Sequence, residues 1–187
     1  MNKNDKPATV WNLPNKLSLL RVVMTPFFVW ALLAGNFIIA LALFATASIT
    51  DLIDGKVARK YHLITDLGKF LDPLADKILV ISALICFIEL GLAPSWAVTL
   101  IAAREFFVSG IRLAASGQSG KVIAADFPGK LKTALTMVAI IAILALNIFW
   151  SGADWVKLTG DVLIYLSTAA TVWSGADYFW KYRGIFK

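Results

Sequence analysis

Asp51, Asp54, Asp66, Asp72 and Asp76 stand close together directly after a segment, Val22 to Thr50, that carries no charge. Asp51 and Asp54 are three residues apart and Asp72 and Asp76 four apart, so each pair shares one face of a helix. A hairpin through residues 60–69 would set the pairs opposite one another, giving four converging carboxylates. An ionised side chain inside a membrane costs about 3 kcal/mol and usually faces a functional interior. Lys56, Arg59 and Lys77 could answer the four charges in a plain ion-pair network. Divalent metal is the sharper answer: hard carboxylate oxygens, without thiolate or clustered imidazole, suit magnesium or manganese better than zinc. Asp66 and His62, the single histidine, are expected in the connecting loop.

Gly55 follows Asp54 directly, with Ala58 and Arg59 one turn on. Glycine inside a helix costs about 1 kcal/mol and is usually kept for close approach. A ligand could press on that small face while Arg59 offers a two-pronged donor to a phosphate. Gly68 is read either as a similar contact or as a turn residue. Two metals and an arginine equip a site for in-line attack at phosphorus, where they neutralise the entering and leaving oxygens.

The elements that hold these residues are membrane helices. The chain has 187 residues, 59% of them hydrophobic and 16% charged, and a mean hydropathy of +0.74, far from soluble averages. Uncharged runs such as Val22 to Thr50, Ile78 to Ile88 and Ala134 to Trp150 recur too often to hide in one small core. Cutting them at glycine, proline and charge clusters gives six spans, roughly 17–35, 37–60, 70–91, 94–117, 129–150 and 156–182. The predicted fold is all-α, a six-transmembrane-helix bundle over residues 17–187 behind a short cytoplasmic or interfacial N-terminal segment, residues 1–16. Val10, Leu13, Leu17 and Leu20, with basic residues among them, suit a short interfacial helix ahead of the first span, with a simple loop as the alternative.

The formal charge of +6 forms no stripe, which argues against nucleic acid and for a lipid surface or a phosphate-bearing substrate. With the N-terminus cytoplasmic, every lysine and arginine except Lys157 and the mid-span Arg104 falls at a cytoplasmic end, which predicts both termini inside. Trp11, Trp30, Trp96, Trp150, Trp155 and Trp180 fall near span ends as interfacial anchors. Cys86, the single cysteine, sits in an apolar run and makes no internal disulfide.

The pattern Asp51-x-x-Asp54-Gly55-x-x-Ala58-Arg59, eight residues, then Gly68-x-x-x-Asp72-x-x-x-Asp76 resembles the signature of the CDP-alcohol phosphotransferases. The resemblance implies a six-helix membrane bundle, commonly a homodimer, at a bacterial inner membrane. It implies that Asp51, Asp54, Asp72 and Asp76 hold two divalent cations, Mg2+ or Mn2+. Asp76 would also be the base on the acceptor hydroxyl, and Asp54, Gly55, Ala58, Arg59 and Gly68 would hold the CDP-diacylglycerol. The acceptor oxygen would then attack the lipid-bearing β-phosphorus and CMP would depart.

Three further stretches, "PNKLSLLR" (14–21), "AREFFVSGIRLAA" (103–115) and "GKVIAADFPGKLKT" (120–133), are similar to family members that use sn-glycerol 3-phosphate as acceptor. Arg104, buried in a span, requires an anionic partner, either Glu105 or a bound phosphate. Arg112, Lys130 and Lys132 approach the same face and complete an expected clamp for the acceptor phosphate. Inositol phosphate would satisfy the same cations; serine or phosphatidylglycerol would use the same aspartates. A divalent-cation transporter would require a polar track to the far side, which the second and third spans lack. Past residue 134 no functional role is expected. Asp177 has no evident purpose, and Gly152, Gly160 and Gly175 suit close packing or a dimer seam.

Overall fold

The computed structural model describes residues 12–60, 66–119 and 127–183, with backbone alone at 52–60, 66–67, 69–70, 72–73, 112–119 and 182. These residues form six α-helices: α1 (Leu13–Leu33), α2 (Phe37–Lys60), α3 (Asp66–Glu89), α4 (Ser95–Ser119), α5 (Phe127–Trp150) and α6 (Asp154–Tyr182). Two of them, α1 and α5, are long and apolar enough to cross a membrane by length and composition. The chain divides into two compact units, residues 1–83 and 84–187, so α3 contributes to both.

In the first unit α1 packs on α2. The α1 start is written locally: the Asn12 side chain accepts from the backbone N–H of Asn15 at 3.0 Å, and Pro14 stands in the first turn, where no N–H is missed. Its end is equally local. Gly35 adopts φ +77°, and the N–H groups of Ala34 and Asn36 return to Trp30 and Ala31, closing the helix as a left-handed residue allows. Asn36 then caps α2, accepting from the Ile39 N–H at 3.1 Å.

The α1 helix is continuous from Leu13, so Leu13, Leu17 and Leu20 belong to the first turns of the span helix and not to a separate interfacial helix. Val10, Trp11 and the rest of residues 1–11 lie outside the described residues, as does His62. Asp66, expected in a loop, is the first residue of α3, where a carboxylate suits the positive end of the helix dipole.

In the second unit α6 packs on both α5 and α4. Ile140, Ile143 and Leu144 of α5 are buried, and on α6 Val156, Ile164, Ser167, Thr171, Ser174 and Tyr178 form the buried face. Gly160 allows the approach: a Cβ there would lie 3.4 Å from Ile143. The buried threonine hydroxyls of these helices satisfy themselves against the preceding turn, Thr136 on Lys132 O, Thr168 on Ile164 O and Thr171 on Ser167 O, which removes the cost of a bare polar group in hydrocarbon.

Away from these seams the surface is apolar. Phe27, Trp30, Ile38, Phe106, Phe149 and Leu158 are each at least 60% exposed, too much exposed hydrocarbon for water and natural against lipid. Trp96, Trp150, Trp155 and Trp180 are also exposed, as interfacial anchors require.

Candidate active site

All four aspartates of the motif fall within helices, Asp51 and Asp54 on α2 and Asp72 and Asp76 on α3. Helix α2 does continue through Arg59, so the expected shared face of Asp51 and Asp54 stands on backbone geometry. The side chains of Asp54, Ala58, Arg59 and Asp72, and the surroundings of Gly55, lie outside the described residues. Asp76 is half-buried, with Ala75 and Gly68 fully buried on the same helix. Gly68 is thus a helical residue and not a turn.

Asp51 has a partner that charge counting alone placed at the membrane surface. Arg21 Nη1 lies 2.7 Å from Asp51 Oδ1, and Arg21 Nε donates to the Ala47 carbonyl at 3.3 Å. The arginine is 1% exposed. It sits on the buried face of α1 together with Pro14, Asn15, Ser18, Thr25 and Phe28, positions three and four apart, so the polar letters of "PNKLSLLR" point inward together. Ser18 donates to Pro14 O and Thr25 to Arg21 O, while the arginine reaches across to α2.

The donor chemistry of this unit fits a hard divalent cation. Asp51 and Asp76 are carboxylates on two helices of one compact unit, and no cysteine or histidine stands among its described residues. Oxygen ligands of this kind suit hard divalent cations and not thiophilic ones.

The second unit gathers the basic residues. Arg104 Nη1 lies 3.3 Å from Glu105 Oε1, and Lys132 Nζ from α5 bonds the same oxygen. Arg104 Nη2 donates to Ser174 Oγ on α6. The three charged side chains are 12%, 14% and 6% exposed for Arg104, Glu105 and Lys132. Two cations meet on one carboxylate in a largely desolvated place, and charged donors gathered in this way suit an anion.

Two glycines make room for the arginine. A Cβ on Gly175 would lie 3.3 Å from Arg104 Cγ, and one on Gly129 would lie 3.7 Å from Nη2. Gly175 and Gly160 therefore serve packing within the chain, and Gly152, at φ +83°, is a turn residue. Glu105 is the expected anionic partner of Arg104. Lys130 is exposed, and the Arg112 side chain lies outside the described residues. Asp177, without a purpose in the sequence, pairs with Lys181 one turn on at 2.8 Å.

Sequence reasoning missed Arg21, Ser174 and Gly129; Gly175, expected to permit close packing, does so against Arg104. For Arg21 a signal existed, because polar residues at helical spacing ahead of an uncharged segment mark an inward face. Ser174 meets Arg104 across 70 positions, and nothing local announces it.

Comparison with known proteins extends the resemblance past residue 134. A family model described as CDP-alcohol phosphatidyltransferase matches residues 11–173. The chain is 41% identical to the CDP-diacylglycerol--glycerol-3-phosphate 3-phosphatidyltransferase of Bacillus subtilis (92% of this chain, 95% of the relative). It is 42% identical to a protein of Mycobacterium tuberculosis named probable phosphatidylglycerophosphate synthase (91% and 81%). It is 37% identical to the CDP-diacylglycerol--glycerol-3-phosphate 3-phosphatidyltransferase of Salmonella typhimurium (93% and 96%). With matches of this extent lying over helices that carry the aspartate motif, the chain belongs to the CDP-alcohol phosphatidyltransferase family.

Proposed function

We propose that this protein transfers the phosphatidyl group of CDP-diacylglycerol to sn-glycerol 3-phosphate, yielding phosphatidylglycerophosphate and CMP. The observation that carries the acceptor is the largely buried cluster of Arg104 and Lys132 around Glu105, whose charged donors suit a phosphate monoester and have no use for serine. The names and coverage of the relatives support the same acceptor.

Asp51, Asp54, Asp72 and Asp76 hold two divalent cations, which supply charge neutralisation for the entering and departing oxygens. Asp54, Gly55, Ala58, Arg59 and Gly68 seat the cytidine diphosphate. Arg104 and Lys132, with Arg112 and Lys130 as further cations, hold the acceptor phosphate. Asp76 accepts the hydroxyl proton. The hydroxyl oxygen forms the new bond to the lipid-bearing β-phosphorus, the bond from that phosphorus to CMP oxygen breaks, and CMP carries the electron pair away.

The six helices are six spans with both termini cytoplasmic, residues 1–16 forming the leading segment and 17–187 the membrane domain, which functions as a homodimer at the bacterial inner membrane. Charge supports that topology: the connections 34–36, 90–94 and 151–153 carry no charged residue, as non-cytoplasmic loops should.

The test is CMP release from CDP-diacylglycerol by purified protein, offered glycerol 3-phosphate, inositol phosphate, serine or phosphatidylglycerol in turn. Turnover with glycerol 3-phosphate alone, abolished by EDTA and by Asp76→Asn, is expected. Turnover with another acceptor alone overturns the substrate, and no CMP from any acceptor overturns the reaction.

A further inference from the structure

Arg21 lies outside the aspartate motif, yet the structure joins it directly to the first aspartate. From the metal-site reading above, we infer that Arg21 is a positioning residue of that site: its guanidinium fixes the rotamer of Asp51 before any cation arrives. The grip has two points. Nε donates to the Ala47 carbonyl at 3.3 Å, and Nη1 stands in ion-pair contact with Asp51, 2.7 Å from Oδ1. Ala47 and Asp51 are one turn apart on α2, so a single planar group spans backbone and carboxylate and ties the side chain to its own helix.

A purely structural staple is the competing account, since the contact also joins α1 to α2. Energetics speak against it. A buried ion pair is often no more stabilising than an apolar pair of the same volume, and a leucine at residue 21 would serve the seam as well. What an apolar pair cannot do is orient a carboxylate. Arg21 is 1% exposed while Asp51 is 36% exposed, so the arginine is locked in the packing and the aspartate presents from it. Elsewhere on the inward face Ser18 and Thr25 donate their hydroxyls to their own helix.

Mn2+ titration of the purified protein, with free ion followed by electron paramagnetic resonance, reads this without turnover. Arg21→Lys keeps the charge, and hence the repulsion felt by a cation, but a single ammonium cannot reproduce the planar two-point grip. The expected result is about tenfold weaker Mn2+ binding with an unfolding midpoint in EDTA close to that of the parent. Binding within twofold of the parent, or tighter, in a folded variant overturns the inference. Asp51→Asn and Asp76→Asn run beside it: if they abolish Mn2+ binding while Arg21→Lys does not alter it, only the positioning role fails. If neither aspartate variant changes binding, the metal site itself fails. Should Arg21→Lys not fold, a structure of the parent grown with Mn2+ decides: Asp51 ligating while still held by Arg21 supports the inference, and Asp51 turned away from Arg21 to reach the ion overturns it.

Discussion

Replacing Gly175 by alanine sets one methyl group 3.3 Å from Cγ of Arg104. Carbon atoms sit best at about 3.5–4.0 Å, so the arginine stem must retreat by a few tenths of an ångström. Its far end is tied to Glu105 and Ser174, and the shift is taken up in those bonds and in the grip on an incoming phosphate. Hydrogen bonds to charged groups are worth about 1.5–3 kcal/mol. Losing roughly half of one costs about 1.4 kcal/mol, a tenfold factor. Gly175→Ala should therefore raise KM for glycerol 3-phosphate about tenfold at saturating CDP-diacylglycerol and leave KM for the lipid substrate where it was. The unfolding midpoint should hold or rise, because alanine is favoured over glycine in a helix by about 1 kcal/mol. Gly110→Ala is the control: among the described residues no atom beyond its own helix stands within 4 Å of a Cβ there, so both constants should stay unchanged. A glycerol 3-phosphate KM within twofold of the parent, or an equal rise for both substrates, would refute the placement of Arg104 at the acceptor phosphate.

Glu105→Ala leaves Arg104 and Lys132 as neighbouring cations that are 12% and 6% exposed. Breaking such a pair should cost about 3 kcal/mol; a loss under about 1 kcal/mol in denaturant unfolding would contradict the burial described here. For topology, Cys86 is the sole cysteine, so Cys86→Ala supplies a thiol-free background. In it, Lys157→Cys should react with an impermeant maleimide in intact cells and Lys181→Cys only after lysis, and the reverse pattern would invert the proposed orientation.

How much of this could be read from the sequence depended on what stands out against hydrocarbon. The six helices fell within a few residues of expectation, because glycine and proline at Gly35, Gly91, Pro94 and Gly152 interrupt the apolar runs where the chain turns. The first span was drawn from residue 17, with Lys16 as its border, and α1 begins four residues earlier, at Leu13. Arg21, counted among the charges at cytoplasmic span ends, lies deep in the α1 seam, paired with Asp51. A border rule based on charge fails where a charge is neutralised inside.

The same logic explains which site residues were visible. A lone cation in an apolar helix demands an explanation, so Arg104 and its need for an anion were legible, and Glu105 meets that need. The groups that hold those charges in place are uncharged: the Ser174 hydroxyl, the Ala47 carbonyl, and the absent side chains of Gly129 and Gly175. None of them departs from membrane-helix composition, and each acts only because packing sets it against a charged group elsewhere in the chain. Charge therefore marks where the chemistry is proposed to occur, and small neutral residues on neighbouring helices set the geometry in which it happens. Tuning of acceptor affinity should accordingly be sought at Ser174, Gly175 and Gly129, where a change of one methyl group moves a guanidinium without removing it.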